Sequence, residues 1–247
     1  MSTPRLSVFA ISHYCEKARW ALDFYGIEFA VQYLAPGLHG RYAKRLGLPV
    51  SSLPILEVDD EVIQGSSAII DWAEQHTVRE VALCREQPAA VAATEQRLDA
   101  IMGVQIRRYF YSEALVSYPH TVRPIFMRDL TGVSRLFVLL AWPRIRGIMI
   151  NRMDLGPAQQ KDACTRIEAE LDWLDDLLAD GRTYLHGSAL SRADITAASL
   201  IGPLVQPPDL DVALQLPPQV SADLVRWRER PVLQWVEGIY REHRDCR

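Results

Sequence analysis

A hydroxyl and a thiol lie three residues apart near the start of the chain, at Ser12 and Cys15. The segment before them, from Leu6 to Ile11, is rich in β-branched and aromatic side chains, as a strand would be. After them, apolar residues recur at helical spacing, at Ala18, Ala21, Leu22 and Tyr25. Because a helix N-terminus carries partial positive charge, it favours the thiolate form of a sulfur held against it. The pattern therefore predicts a thiol-handling site where a strand becomes a helix, with Ser12 at the N-cap.

The composition of the chain excludes several other classes of protein. Its 247 residues are 49% hydrophobic and 23% charged, which is enough to bury one large or two small cores. A formal net charge of -4 makes neither nucleic acid nor an anionic membrane the expected partner. The N-terminus shows no leader-like pattern, and the most apolar run, Leu136 to Trp142, is far too short to cross a bilayer. We therefore expect a cytoplasmic protein with no membrane partner.

The cysteines indicate a reduced protein without a metal centre. They lie at Cys15, Cys84, Cys164 and Cys246. No pair has the Cys-x-x-Cys spacing, and none combines with the scattered histidines at a spacing typical of zinc sites. We therefore expect free thiols and no bound metal.

The first part of the chain alternates between strand and helix patterns. After the strand and helix of residues 6–26 come a strand at 29–34, a short basic helix at 41–46, a hairpin at 54–64, and a helix that ends near His76. The predicted order is βαβαββα. A domain with this order is expected over residues 1–78.

The second part of the chain has a different character. A charged connector spans residues 79–87, and Pro88 then opens a segment with helical periodicity and almost no strand signal. We predict a linker at 79–87 and an all-α domain over residues 88–247.

Separated motifs in both parts resemble the cytosolic glutathione transferase family. In the first part they are Ser-x-x-Cys-x-Lys-Ala-Arg from Ser12 to Arg19, Ser52-Leu53-Pro54-Ile55, and Gly65-Ser66-Ser67-Ala68-Ile69-Ile70. In the second part, Leu190-Ser191-Arg192-Ala193-Asp194-Ile195 resembles the capping box and hydrophobic staple that begin a buried helix of that family. The resemblance implies an α/β thioredoxin-like N-terminal domain followed by an all-α C-terminal domain. It also implies glutathione as co-substrate, a small hydrophobic electrophile as second substrate, and a homodimer.

The resemblance gives Ser12 the catalytic role. Its hydroxyl is expected to donate a hydrogen bond to the glutathione sulfur and, together with the helix N-terminus, to stabilise the thiolate. Lowering a thiol pKa by about 2 units corresponds to about 2.7 kcal/mol, which turns a minor thiolate fraction at neutral pH into the majority.

Cys15 is the alternative catalytic residue, for a glutathione-dependent thiol/disulfide reductase. Glutaredoxin-like and omega-like relatives carry cysteine where this chain has Ser12, so a dithiol route is absent here. Cys15 lies one turn into the predicted helix, where a small buried side chain is expected. A mixed disulfide between Cys15 and glutathione remains an alternative, and so does a non-catalytic ligand-binding or interaction protein with the same fold.

The resemblance also implies which residues bind glutathione. Leu53 precedes a cis Pro54 and offers its main-chain N–H and C=O to the extended tripeptide, as in strand addition. Ser66, at the start of a helix, forms a site for the γ-glutamyl carboxylate with the neighbouring N–H groups. The basic contact for the glycyl carboxylate is expected at His39, with Arg41 and Lys44 nearby.

Gly65 departs from the family pattern. Relatives usually carry Glu or Asp before this serine, and that carboxylate meets the γ-glutamyl amino group. Gln64, or Asp99 of a partner subunit, is a candidate to replace it. The departure predicts weaker glutathione binding and keeps the non-catalytic alternative open.

The second part of the chain is expected to supply the pocket for the electrophile. Candidates on its first long helix are Met102, Gln105, Ile106 and Tyr109, with core packing as the alternative role. The stretch from Thr121 to Arg152 carries six arginines against one aspartate, with large apolar residues between them. Because its prolines should break a long amphipathic helix, we predict a subunit interface or a flap over the pocket rather than a membrane-binding segment.

Overall fold

The computed structural model of the protein describes residues 2–207 and 216–244, so Cys246 lies outside the described residues. The chain forms two compact units. The first comprises Met1–Val81 and Pro119–Met149, and the second comprises Ala82–Tyr118 and Ile150–Arg247. In the described part of the chain, Cys15, Cys84 and Cys164 are free thiols. No helix there is long and apolar enough to cross a membrane.

The first unit contains a four-stranded mixed sheet with the predicted βαβαββα order. Its elements are β1 Arg5–Val8, α1 His13–Phe24, β2 Ala30–Tyr33, α2 His39–Arg45, β3 Ile55–Val58, β4 Glu61–Gln64 and α3 Ser66–Gln75. The strand order is β2-β1-β3-β4, with β1 and β2 parallel and the other two pairs antiparallel. The thioredoxin-like fold predicted for this part of the chain is confirmed.

The core of this unit lies between the sheet and the pair of helices α1 and α3. Side chains from all three are fully buried, among them Leu6, Trp20, Leu22, Ile55, Ile69 and Ile70. Burying an aliphatic or aromatic side chain contributes about 1.5 to 3 kcal/mol relative to leaving it in water. This packing fixes the end of β1 and the start of α1, where the predicted site begins.

The first unit also contains α6, Pro119–Phe126, and most of α7, Gly132–Met153, up to Met149. The expectation that prolines break this segment is wrong, since α7 continues through Pro143. Proline removes one helical hydrogen bond, to the carbonyl four residues earlier, here that of Leu139. Both Pro143 and Leu139 are exposed, so water can reach this carbonyl and the helix can tolerate the loss.

The second unit contains helices and connecting loops, with no strand among its described residues. Its helices are α4 Pro88–Arg97, α5 Gly103–Ser117, α8 Pro157–Leu178, α9 Arg192–Val205, α10 Pro218–Trp227 and α11 Pro231–His243, with a π-helical turn at Leu98–Met102 joining α4 to α5. The predicted all-α character of this part of the chain is confirmed.

The predicted capping box at the start of α9 is present. The Asp194 carboxylate accepts from the backbone N–H groups of Ser191 and Leu185, each at 2.7 Å. Ser191 and Asp194 are both fully buried. This carboxylate therefore ties the loop before α9 to the first turn of the helix.

Candidate functional site

Four segments of the first unit meet at one end of the sheet. Because β1 and β2 are parallel, their carboxyl ends lie side by side, and Leu34 N–H donates to the carbonyl of Val8 at 3.0 Å. The antiparallel partner β3 begins at this end, with Ile55 opposite Ser7 in β1 and opposite Gln64 in β4. The register therefore brings the β1–α1 turn, the β2–α2 loop, the Leu53–Pro54 segment and the start of α3 to the same edge.

Ser12 occupies the predicted N-cap of α1. Its backbone is extended, its N–H donates to Phe9 C=O at 3.2 Å, and its side-chain oxygen accepts from the Cys15 N–H at a long 3.4 Å. Ser12 is half-buried. In the first turn of α1, His13 and Cys15, which flank Tyr14, are buried. The hydroxyl of Ser12 thus lies at the surface of the site, beside the sulfur of Cys15, with which it forms a hydrogen bond.

Cys15 lies behind Ser12, inside the unit. Its side chain is 1% exposed, and this burial raises the pKa of the thiol. The neighbouring Ser12 hydroxyl and the Phe9 backbone oppose the effect, but burial dominates. A buried neutral thiol is a poor nucleophile, because the thiolate is the reactive form.

The Leu53–Pro54 peptide bond is cis, as the resemblance implied. Among the described residues, the main-chain N–H and C=O of Leu53 have no hydrogen-bond partner, while Pro54 C=O accepts from Gly65 N–H at 3.0 Å. Gln64 donates from its side-chain nitrogen to the carbonyls of Val50 and Ser52, at 3.0 and 2.8 Å. Gln64 therefore braces the loop before the cis proline, a role that the sequence did not indicate.

The N-terminus of α3 has no cap from its own side chains. Gly65, at the N-cap, has φ +98° and makes no side-chain cap hydrogen bond, and no acidic residue lies in the first turn. Ser66 is 6% exposed, and its hydroxyl has no partner among the described residues. Backbone and hydroxyl donors at a helix N-terminus suit a carboxylate.

His39 lies at the same edge of the sheet. Its ring packs edge-on against Phe9 with centroids 4.9 Å apart, and its Nδ1 accepts from Gly37 N–H at 3.2 Å. With Nδ1 as acceptor, the neutral imidazole carries its proton on Nε2. The neighbouring basic side chains, Arg41 and Lys44, are exposed.

The electrophile-site candidates lie at the end of the π-helical turn and on α5, and they divide into two groups. Met102, Ile106 and Tyr109 are at most 1% exposed and lie in the helical core of the second unit. Tyr109 donates to Asp223 at 2.6 Å, and burial raises the pKa of its phenol. Gln105 forms the second group and is half-buried. Asp99, the candidate to replace the acid missing at Gly65, lies in the π-helical turn. For the first group, the observed placement is that of core residues.

Sequence reasoning missed Lys17. It lies on α1 with 0% exposure, and its Nζ donates to Ser67 Oγ at 3.0 Å. The sequence analysis noted it only as the lysine of the Ser-x-x-Cys-x-Lys-Ala-Arg motif and predicted no role for it. One signal could have indicated its burial, since Lys17 precedes the buried Trp20 and Ala21 by three and four residues and so shares their helix face.

Part of the chain matches the sequence model of a known protein family. Residues 6–80 match the sequence model of the glutathione S-transferase N-terminal domain. No curated protein sequence matches the chain.

Solved structures of glutathione S-transferases share the fold over nearly the whole chain. Glutathione transferase GSTFuA3 from Phanerochaete chrysosporium is 16% identical with a TM-score of 0.63, covering 100% of this chain and 99% of its own. A glutathione S-transferase from Methylobacillus flagellatus KT with glutathione bound is 16% identical with a TM-score of 0.59, covering 98% and 96%. The β-etherase LigF from Sphingobium sp. strain SYK-6 is 19% identical with a TM-score of 0.56, covering 96% and 99%. These likenesses show that the chain shares the fold of these structures.

Proposed function

We propose that this protein is a glutathione transferase that joins the sulfur of glutathione to an electrophilic small molecule. One observation supports this proposal most directly. At one edge of the sheet a half-buried serine, Ser12, caps α1, and at the same edge the Leu53 main chain and the uncapped start of α3 present hydrogen-bonding groups without partners. Glutathione offers groups that match each of these: a thiol, an extended peptide and a γ-glutamyl carboxylate.

Each element of the proposed site has a distinct task. Leu53 pairs with the peptide through its N–H and C=O, and Ser66 with the α3 N-terminus holds the γ-glutamyl carboxylate. Nε2–H of His39 faces the glycyl carboxylate. These contacts place the sulfur against Ser12, whose hydroxyl turns from the Cys15 sulfur to donate to it.

The chemical step needs no base during the attack. The Ser12 hydrogen bond and the α1 N-terminus stabilise the thiolate, so the thiol proton is already lost when the electrophile binds. A carbon–sulfur bond then forms as the leaving group departs with its electron pair. The placement of the two reactants supplies the remainder of the rate gain.

The burial of Cys15 speaks against the reductase alternative. Disulfide exchange requires a thiolate that can reach the partner sulfur, and this thiol is buried with a raised pKa. The non-catalytic alternative predicts a protein that binds ligands without transferring the thiol.

Two variants at the start of α1 test the function. Under the proposal, Ser12→Ala lowers conjugation of glutathione to an aryl halide by about tenfold or more, and Cys15→Ser leaves most of it intact. The same variants are assayed with a mixed disulfide, and with an aryl ether because LigF is a β-etherase. Loss of activity in Cys15→Ser alone would contradict the role of Ser12. A wild-type protein that gives no heat with millimolar glutathione would contradict the function itself.

We also propose a cytoplasmic homodimer in which α7 contributes to the subunit contact. Along one side of α7, Val133, Leu136 and Leu140 are 84%, 54% and 73% exposed, at helical spacing. The opposite side is buried, and Phe137 and Ile145 approach Gly37 in the β2–α2 loop. Light scattering tests the contact, since Leu140→Glu should produce monomers. A wild-type monomer that floats with anionic vesicles would instead indicate a membrane-binding face.

A further inference from the structure

Helix α2 is attached to a polar face of the sheet. In the register of β1, β2 and β3, Ser7 lies opposite Gln32, and Arg5 lies opposite Glu57. Because side chains alternate along a strand and opposite residues share a face, these four side chains lie on one face of the sheet. Helix α2 contacts this face through Tyr42. It is therefore bound to the sheet in part by hydrogen bonds, which are directional, and not by apolar packing alone.

Tyr42 makes this attachment. It is 8% exposed, its hydroxyl donates to Glu57 Oε1, and its oxygen lies 3.0 Å from Gln32 Oε1. Burial, and next the hydrogen bond to Glu57, raise the pKa of the Tyr42 phenol, so the hydroxyl keeps its proton at neutral pH. Ala43, the other buried residue of α2, has only a methyl group to pack. The Tyr42 hydroxyl thus provides a polar link from α2 to both β2 and β3.

The same side of α2 leads to the proposed glutathione site. His39 and Tyr42 are three residues apart on this helix, so they lie on the same side of it. His39 packs against Phe9 in the β1–α1 turn, and its Nε2–H is proposed to meet the glycyl carboxylate. A charge-assisted hydrogen bond depends strongly on distance and angle. A shift of α2 would therefore weaken this contact, while the contacts proposed for the sulfur and for the γ-glutamyl group lie on other elements.

We propose that Tyr42 is a positioning residue that, through its hydrogen bond to Glu57, holds α2 where His39 binds the glycyl carboxylate. This inference rests on the proposed function, because it takes glutathione as the ligand. Tyr42 acts without touching the ligand. Its hydroxyl favours a ligand with a terminal carboxylate by fixing the position of the helix that carries the basic contact.

The test compares three ligands by calorimetric titration of the full-length protein. They are glutathione, the analogue in which the glycyl carboxylate is an amide, and the analogue in which the γ-glutamyl carboxylate is an amide. Wild-type protein should prefer glutathione over the glycyl amide. Tyr42→Phe keeps the ring and removes only the oxygen, and it should reduce that preference about fivefold, because α2 is then held less firmly. The preference over the γ-glutamyl amide should stay unchanged.

Two variants on the sheet serve as matched controls. Glu57→Gln keeps an acceptor oxygen for Tyr42 and should retain most of the preference for glutathione over the glycyl amide. Arg5→Gln removes the ion pair in which Arg5 Nε lies 3.5 Å from Glu57 Oε1, without touching α2, and should leave the preference unchanged. A reduction in Arg5→Gln as large as that in Tyr42→Phe would contradict the inference, because the link to α2 would then not be its cause.

The ratio of affinities within each variant separates positioning from folding. A purely structural role would weaken all three ligands by the same factor, so an unchanged preference for glutathione over the glycyl amide in Tyr42→Phe would overturn the inference. If Tyr42→Phe does not fold, Glu57→Leu removes the same hydrogen bond and should also reduce the preference; no reduction there would overturn the inference as well.

The wild-type protein distinguishes failure of this inference from failure of the proposed function. Equal binding of glutathione and the glycyl amide would refute the inference and leave the proposed function in place. Absence of glutathione binding would overturn the proposed function, and the inference with it.

Discussion

Two helices of this protein begin with a buried serine and solve the same electrostatic problem in opposite ways. In α9, the chain supplies its own anion, since the fully buried Asp194 carboxylate accepts from the Ser191 and Leu185 N–H groups. In α3, the first turn has no acidic residue, Gly65 makes no side-chain cap, and Ser66 has no partner among the described residues. The N-terminus of α9 is therefore capped by the protein's own carboxylate, and we call it the closed start. The N-terminus of α3 has no such cap, and we call it the open start.

The contrast distinguishes a structural helix start from a ligand-binding one. Both sequences contain serine at the helix start, with Ser191 as the N-cap of α9 and Ser66 directly after the N-cap Gly65 of α3, and serine at a helix start is uninformative by itself. The presence or absence of a carboxylate three residues later is what differs. A closed start should contribute to stability and not to binding, and an open start should do the reverse.

The largest expected effect is on the closed start. Asp194→Ala leaves buried N–H donors and the Ser191 hydroxyl without their acceptor, so it should lower the free energy of unfolding by about 3 kcal/mol. Denaturant unfolding measures the loss. Asp194→Asn, which keeps an acceptor oxygen but not the charge, is the matched control and should lose less. A loss below about 1 kcal/mol for Asp194→Ala would show that the cap is not structural.

The open start should respond in binding. Ser66→Ala should weaken glutathione binding by about 1 to 3 kcal/mol, because a hydrogen bond to a charged group is lost, while thermal stability stays near that of the wild type. Calorimetric titration and thermal unfolding measure both. Ser191→Ala is its mirror image, with an expected stability loss of about 1 kcal/mol and unchanged binding. If Ser66→Ala and Ser191→Ala both lower thermal stability and neither weakens glutathione binding, the contrast between the two helix starts does not hold.

Gly65 provides a test of the backbone at the open start. At φ +98° a side chain is strained, although an added Cβ would meet no atom within 4 Å. Gly65→Ala should therefore cost about 1 kcal/mol of stability for conformational reasons alone. Gly147→Ala is the control, because Gly147 lies inside α7 and its Cβ also meets nothing, so a gain of about 0.5 to 1 kcal/mol is expected. If Gly65→Ala and Gly147→Ala changed the free energy of unfolding by the same amount in chemical denaturation, backbone strain at Gly65 would be refuted.

Much of the fold could be predicted because local signals and packing agree. The alternating strand and helix patterns gave the βαβαββα order, and the Leu190 to Ile195 motif gave the cap of α9. Pro143 does not interrupt α7 as predicted, because the cost of a missing hydrogen bond depends on whether water reaches the carbonyl. Exposure of Pro143 and Leu139 is a property of the folded unit and has no local sequence signal.

The site was predictable only in part, for a related reason. Ser12 at the N-cap and the cis Leu53–Pro54 bond follow from motifs that lie within a few residues. Lys17 and Gln64 make contacts with Ser67 and with the 50–52 loop, which are distant in sequence and arise from the packing of α1 on α3 and the pairing of β4 with β3. Their residue types alone are typical of solvent-exposed positions.

The smallest expected effect concerns pH and the closed start. His186 follows Leu185, whose N–H binds Asp194, and its Nε2 lies 2.8 Å from Thr94 Oγ1. Burial lowers the pKa of His186 from its ordinary value of 6.5, and the positive charge of Arg182 adds to this shift. The unfolded chain therefore binds a proton at higher pH than the folded chain. The contribution of His186 to stability is complete above pH 6.5 and is lost as the pH falls from 6.5 through the lowered folded value.

Thermal unfolding across this pH range measures the effect. Stability should fall less steeply with decreasing pH in His186→Gln than in the wild type. His120→Gln, at an exposed histidine on α6, should leave the slope unchanged. If His120→Gln changed the slope as much as His186→Gln did, the acid sensitivity would not belong to the loop that leads into α9.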